Sequence, residues 1–152
     1  ASDVYKRQAS DVYKRQALQL TQQYEQAERV FEDALKFFPN DAELWFYLSR
    51  VQFLQSSLAK SAVSAKRAIE LKPDSADAHT QLAMTLDALN EVEAALTNYR
   101  RAMELCRQQK RIQPVTFLYA SQLLLKLGQL NEAANAISEI IAVDPKSSQS
   151  LA

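Results

Sequence analysis

The sequence predicts an all-α fold, an α-solenoid of antiparallel helix pairs, on three observations. Pro39 and Pro73 stand 34 positions apart, and Ala34, Ala68 and Ala102 recur at the same step, as do Ala27, Ser61 and Ala95. A fixed period of this length marks units that bury their apolar faces only against their neighbours. Between the two prolines, Asn40 to Ser49 and Leu58 to Ile69 each read as a short amphipathic helix. A single glycine amid abundant Ala, Leu, Gln and Glu favours helix throughout.

Taken in order, residues 1–16 are one octamer, Ala-Ser-Asp-Val-Tyr-Lys-Arg-Gln, written twice without change. An undrifted duplication without the apolar periodicity of the later helices reads as a cloning or sequencing scar, and it is set aside from the functional argument. It can still be helical, because it runs straight into Ala17. Residues 17–41 are a truncated unit reduced to its second helix, with Tyr24, Ala27, Phe31, Ala34 and Phe37 on one face. Residues 42–75 are a full unit, for which Asp41 is placed to cap the first helix and Glu43 lies in its first turn. Residues 76–113 are a second full unit, with Asp74 or Ser75 as candidate caps and Asn90 in the interhelix turn. Here the register breaks once: Arg107 stands where a closing proline is due, and the next closing proline is Pro145, 38 residues on. Four extra residues are about one helical turn, so the second helix of this unit is expected to run from about Val92 to Ile112. Residues 114–147 are the last full unit, entered through Pro114, which a helix start tolerates. Gly128 serves its turn, and Asp144-Pro145 closes it. Residues 148–152 look like the start of a further unit with Leu151 at its first packing position, so both ends look cut from a longer array.

Period and helix pair together resemble the tetratricopeptide repeat, whose pattern is W-x2-L-G-x2-Y, then A-x3-F, then P. Ala27-x3-Phe31 with Pro39 matches the closing half. Trp45 and Leu48 match W-x2-L, with Ser49 for the glycine, Gln52 for the tyrosine and Ser61-x3-Ala65 for A-x3-F. His79-x2-Leu82-Ala83-x2-Leu86 and Ala95-x3-Tyr99 follow, then Phe117, Ala120, Ser121 and Leu124 with Ala133-x3-Ile137. The resemblance covers about residues 17–152 and implies a right-handed superhelix. Its motif is specific to the fold rather than to a function.

Charge and composition narrow the classes. Acidic and basic residues balance at 18 each, so no general attraction to nucleic acid or an anionic membrane is expected. One glycine rules out phosphate-cradling glycine loops. A single cysteine and a single histidine, Cys106 and His79, cannot build an intrachain disulfide or a structural zinc site. No apolar run approaches the ~20 residues of a membrane span. His79 stands at the packing position of Trp45, Cys106 lies near the end of a helix, and Glu91 with Glu93 belongs to a helix first turn that favours acids. No catalytic, cofactor-binding or metal-binding residues are therefore assigned, no cofactor is expected, and the chain is read as a non-enzyme. Arg100, Arg107 and Arg111, seven and four apart, are a possible basic patch for an acidic peptide or a phosphate-bearing ligand.

The resemblance implies that first helices line a concave surface through motif positions 2, 5, 9 and 12. Carried over, these are Glu43, Phe46, Arg50 and Phe53, then Asp77, Thr80, Met84 and Asp87, then Val115, Leu118, Gln122 and Leu125. Phe46, Phe53, Met84, Leu118 and Leu125 are apolar beyond what the core positions need, and an apolar stripe of this kind marks a binding surface. Family members that grip a C-terminal carboxylate use Lys, Asn and Arg at five positions, which here carry Phe46, Arg50, Gln81, Val115 and Tyr119, so that grip is not expected. The function expected is a protein–protein interaction scaffold taking a partner's peptide segment in the concave groove. Two alternatives are a recognition or spacer module of a larger enzyme or assembly protein, and a self-association element stacking end to end.

Overall fold

A computed structural model describes residues 2–20 and 22–143. Among these the chain forms eight α-helices and no strand: α1 (Ser2–Leu18), α2 (Tyr24–Phe37), α3 (Ala42–Leu54), α4 (Leu58–Leu71), α5 (Ala76–Ala88), α6 (Val92–Gln108), α7 (Pro114–Lys126) and α8 (Leu130–Val143). The expectations for Asp144-Pro145 and for residues 148–152 fall outside the described residues. Helices this short are marginal alone in water, so packing holds them. The chain divides into an upstream unit, Ala1–Asp74, and a downstream unit, Ser75–Ala152. The first packs α1 on α2, α2 on α3 and α3 on α4, and the second packs α5 on α6, α6 on α7 and α7 on α8.

Local chemistry fixes the helix ends. Asp41 caps α3, its Oδ1 accepting from the backbone N–H of Glu43 at 3.0 Å and of Leu44 at 3.3 Å. Of the two candidates at the start of α5, Ser75 is the cap, its Oγ accepting from Ala78 N–H at 3.2 Å. Pro114 opens α7 at its first turn. Turns within each helix pair carry one left-handed residue: Gln22 (φ 65°), Ser56 (φ 62°), Asn90 (φ 63°) and Gly128 (φ 76°). They recur in register with the repeat. After Ser56, Asn90 and Gly128 the next amide reaches five positions back, as from Ser57 to Gln52 O at 2.9 Å and Glu91 to Leu86 O at 2.8 Å, satisfying a carbonyl the helix end leaves open, whereas Gln23 N–H bonds Leu20 O at 3.2 Å.

α6 departs from its expected length. It spans 17 residues against 14 for α2, α4 and α8, and ends at Gln108 rather than Ile112. Lys110 takes the left-handed conformation (φ 53°), and Arg111 N–H closes on Cys106 O at 2.9 Å. The insertion is thus divided between a longer helix and a longer connector.

In the upstream unit the core gathers Phe31, Ala34, Leu35, Leu44, Leu48 and Val51, with Phe31 stacked on Tyr47 at 5.7 Å between ring centroids. Where α3 meets α4, Ser49 and Ser61 are wholly buried and exchange bonds: Ser49 Oγ donates to Ser61 O at 2.7 Å and Ser61 Oγ to Ser49 O at 2.8 Å. The downstream core is built on Tyr99, Met103, Leu105, Phe117, Leu123 and Leu124, all nearly sealed from solvent. α1 is the polar exception. It buries Ser10, Lys14 and Ala17, the register positions of Leu44, Leu48 and Val51. The lysine at a leucine position reaches out to Asp41 at 3.1 Å and Glu43 at 3.2 Å. Burial works against its charge, but these two carboxylates outweigh it and leave the ammonium held more firmly than usual.

Candidate peptide-binding surface

First helices present one face made by residues three, four and seven apart. On α3 this face carries Glu43, Phe46, Arg50 and Phe53. Glu43 and Arg50 are exposed, while Phe46 and Phe53 are half-buried. The Phe46 ring tilts against Tyr47 with centroids 5.3 Å apart. The downstream unit contributes the same register from α5 and α7. Asp77 is exposed, and Met84 and Asp87 are half-buried. Val115, Leu118 and Leu125 stand out at 57%, 47% and 49% exposure, with Gln122 exposed among them.

Thr80 differs from its expected neighbours. It is buried, its Oγ1 donating to Ala76 O at 2.8 Å and meeting Thr116 Oγ1 at 2.9 Å. This hydroxyl pair fastens α5 to α7, so Thr80 presents no free side chain to a partner. The register counterpart of Thr80 on α7 is Leu118, which has no such cover among the described residues.

The arginines are largely spoken for. Arg100 grips Glu132 through Nε at 2.9 Å and Nη2 at 2.8 Å, and bonds Gln129 at 2.7 Å. This fork raises the Arg100 pKa and draws the Glu132 carboxyl below its ordinary value. Arg107 Nε donates to both Glu139 oxygens at 3.1 Å, and its guanidinium lies 5.5 Å from the Phe117 ring centre. Both residues tie α6 to α8. Arg111 lies in the connector beyond the end of α6, exposed, and not on the helix face of the other two.

His79 is half-buried with Nδ1 3.2 Å from Asn98 Oδ1, joining α5 to α6. Cys106 is buried, and desolvation pushes its thiol pKa up, away from nucleophilic use. Among the described residues no three His, Cys, Asp or Glu side chains gather as metal ligands, and no helix is long and apolar enough to cross a membrane. Of the positions where relatives grip a carboxylate, Gln81 leaves a buried Nε2 with no bonding partner among the described residues.

Two tetratricopeptide repeat profiles match the chain, over residues 16–76 and 64–97, together more than half of it. No curated protein matches. Among solved structures, a crystal structure of MamA shares 21% identity at a TM-score of 0.70, covering 80% of this chain and 69% of that one. A second MamA crystal structure shares 20% identity at a TM-score of 0.73, covering 90% and 73%. The first tetratricopeptide domain of Spaghetti (RPAP3), bound to the HSP90 peptide SRMEEVD, shares 18% identity at a TM-score of 0.72, covering 80% and 94%. At these identities the likeness is one of fold. With its 34-residue register, its paired helices and the two matching profiles, the chain belongs to the tetratricopeptide repeat family.

Proposed function

We propose that the first-helix faces of this protein–protein interaction module take a peptide segment of a partner, the upstream unit offering Phe46 and Phe53 as apolar anchors with Arg50 as a polar selector, and the downstream unit offering Met84, Leu118 and Leu125 as apolar anchors. One observation carries the reading: Val115, Leu118 and Leu125 are exposed on α7 at the spacing of one helix face, beyond a core already filled by Phe117, Leu123 and Leu124. The peptide held by the Spaghetti domain supports a peptide ligand in general. This chain has Phe46, Arg50, Gln81, Val115 and Tyr119 where carboxylate-gripping relatives place Lys, Asn and Arg, and only Arg50 is cationic, so its ligand is held mainly through apolar contact. Residues 1–16 take no part.

The test begins with peptides selected from a random library on the intact chain. Phe46→Ala with Leu118→Ala lowers their affinity at least about tenfold and leaves the helical circular dichroism unchanged. Exchanging residues 1–16 for an unrelated helix-forming sequence leaves affinity as it was. Selected peptides that bind the double variant as tightly as the parent put the anchors elsewhere.

Self-association is a second reading with its own support. Ile137 and Ile141 on α8 stand in the register of Tyr99 and Met103, which are sealed beneath α7, yet each remains 36% exposed among the described residues. Sedimentation over a range of concentrations separates the two: a peptide binder stays monomeric, and a self-associating chain gains mass.

A further inference from the structure

Second helices carry a charge pattern that the first-helix reading leaves unused. The repeat step brings Glu32 on α2 into register with Arg100 on α6, and Lys60 on α4 into register with Glu132 on α8. In the downstream unit this pair is the short fork that clamps α6 to α8. In the upstream unit the signs are reversed and the clamp is open. Glu32 and Lys60 instead stand on opposite rims of a cleft of about 480 Å³ between α2 and α4. Its walls are apolar, formed by Leu35, Trp45, Leu48 and Val63. Polar atoms at its inner end are already satisfied, with Ser64 Oγ donating to Gln52 Oε1 at 2.7 Å and Gln52 Nε2 to Glu28 at 3.2 Å.

α2 lines the cleft with Glu32 and Leu35 and contributes no cation to that lining. Glu28 and Glu32 are one turn apart on α2, and Glu28 is engaged by Gln52 and by Gln55, the latter at 2.7 Å. Desolvation first, and then the Glu28 charge, push the Glu32 carboxyl above its ordinary value, and Lys60 across the cleft offsets this only in part. A cation brought to Glu32 completes what Lys60 on α4 supplies only in part. Val63 is 66% exposed at the mouth, so an incoming apolar group buries surface that the fold leaves wet.

We propose that this cleft is a second docking site, taking from a protein partner a large apolar side chain adjoined by lysine or arginine. The apolar group enters between Leu35, Trp45 and Val63, and the cation settles against Glu32. This inference stands independently of the first-helix surface.

Trp45 is the sole tryptophan, and its Nε1–H is fixed on Pro39 O at 2.8 Å, so its indole resonance reports on the cleft. The probes are two capped dipeptides, acetyl-Leu-Arg-amide and acetyl-Leu-Glu-amide, titrated into the intact chain at millimolar concentration. The arginine dipeptide shifts the Trp45 resonance, and binds about two- to fivefold more tightly than the glutamate dipeptide. Glu32→Gln removes that preference while keeping the apolar response, and Val63→Asp removes both responses. Both substitutions lie at exposed positions, where folding is preserved. An indole indifferent to both dipeptides overturns the site. Equal binding of the two, or a preference that survives Glu32→Gln, overturns the cation pairing. Shifts centred on Phe46 and Leu118 instead of Trp45 assign the dipeptides to the first-helix face and overturn the second site.

Discussion

Ser49 and Ser61 show how much a single contact decides. Both are sealed from solvent, and each hydroxyl satisfies the other residue's carbonyl, so α3 and α4 approach closely without leaving a polar group unpaired. Their places were legible in the sequence, with Ser49 standing for the motif's glycine and Ser61 for its alanine. The reciprocal bonding was not, because it depends on how two side chains turn in a closed space. Gly128 was legible for a different reason: at the interhelix turn its φ of 76° is the region other residues enter at a cost. A Cβ added there meets nothing within 4 Å, so Gly128→Ala tests backbone strain alone. It lowers stability by about 1 kcal/mol, read as a lower melting temperature with unchanged helix content. Ser56 and Asn90 hold similar angles without glycine, and Gln22 and Lys110 do so with no sequence signal at all.

At the scale of the element, periodicity marks where helices lie and capping residues mark where they start. Both follow from the chain alone, and Asp41 and Ser75 serve as caps. Where a helix stops is harder to read. An insertion of one turn's length had a simple interpretation as extra helix, but a left-handed Lys110 and the closure from Arg111 to Cys106 end α6 sooner. The basic patch has the same lesson: Arg100, Arg107 and Arg111 look available in sequence, while Arg100 and Arg107 are paired with carboxylates more than thirty residues away. The Arg100 fork makes a pH prediction. Because it depresses the Glu132 carboxyl below its ordinary 4.5, the stabilisation is complete above that value and lost as pH falls through the folded-state pKa. Both side chains are over a third exposed, so water screening holds the effect to less than about 1 kcal/mol. Melting temperatures measured from pH 6 down to pH 3 therefore fall less steeply in Glu132→Gln than in the parent. Identical slopes mean that the fork contributes nothing to stability.

For the whole molecule, the repeat register is the quantity that survives from sequence to structure. It aligns the interhelix turns, the buried positions of the first helices and the paired positions on second helices within each unit. It names the face a residue belongs to. What covers that face is a separate matter, settled by packing between helices far apart in the chain. Thr80 and Leu118 share a register position, yet one lies under a threonine and the other is open among the described residues. The cleft beside Trp45 was missed for the same reason: comparing Glu32 and Lys60 with Arg100 and Glu132 was possible in sequence, but nothing there told which pair closes. Lys14 stands at a leucine position of α1 and is held there by Asp41 and Glu43, a pairing that the register alone does not foretell.

The serine pair and the arginine fork have different fates in brine. The hydroxyls between α3 and α4 bear no net charge and are hidden from dissolved ions, whereas the fork between α6 and α8 sits within reach of them. Since the screening length for exposed charges shrinks from ~10 Å at ~0.1 M to ~3 Å at ~1 M salt, molar sodium chloride loosens the α6–α8 junction and spares the α3–α4 junction. Amide exchange followed across increasing ionic strength then quickens in α8 while α4 keeps its pace.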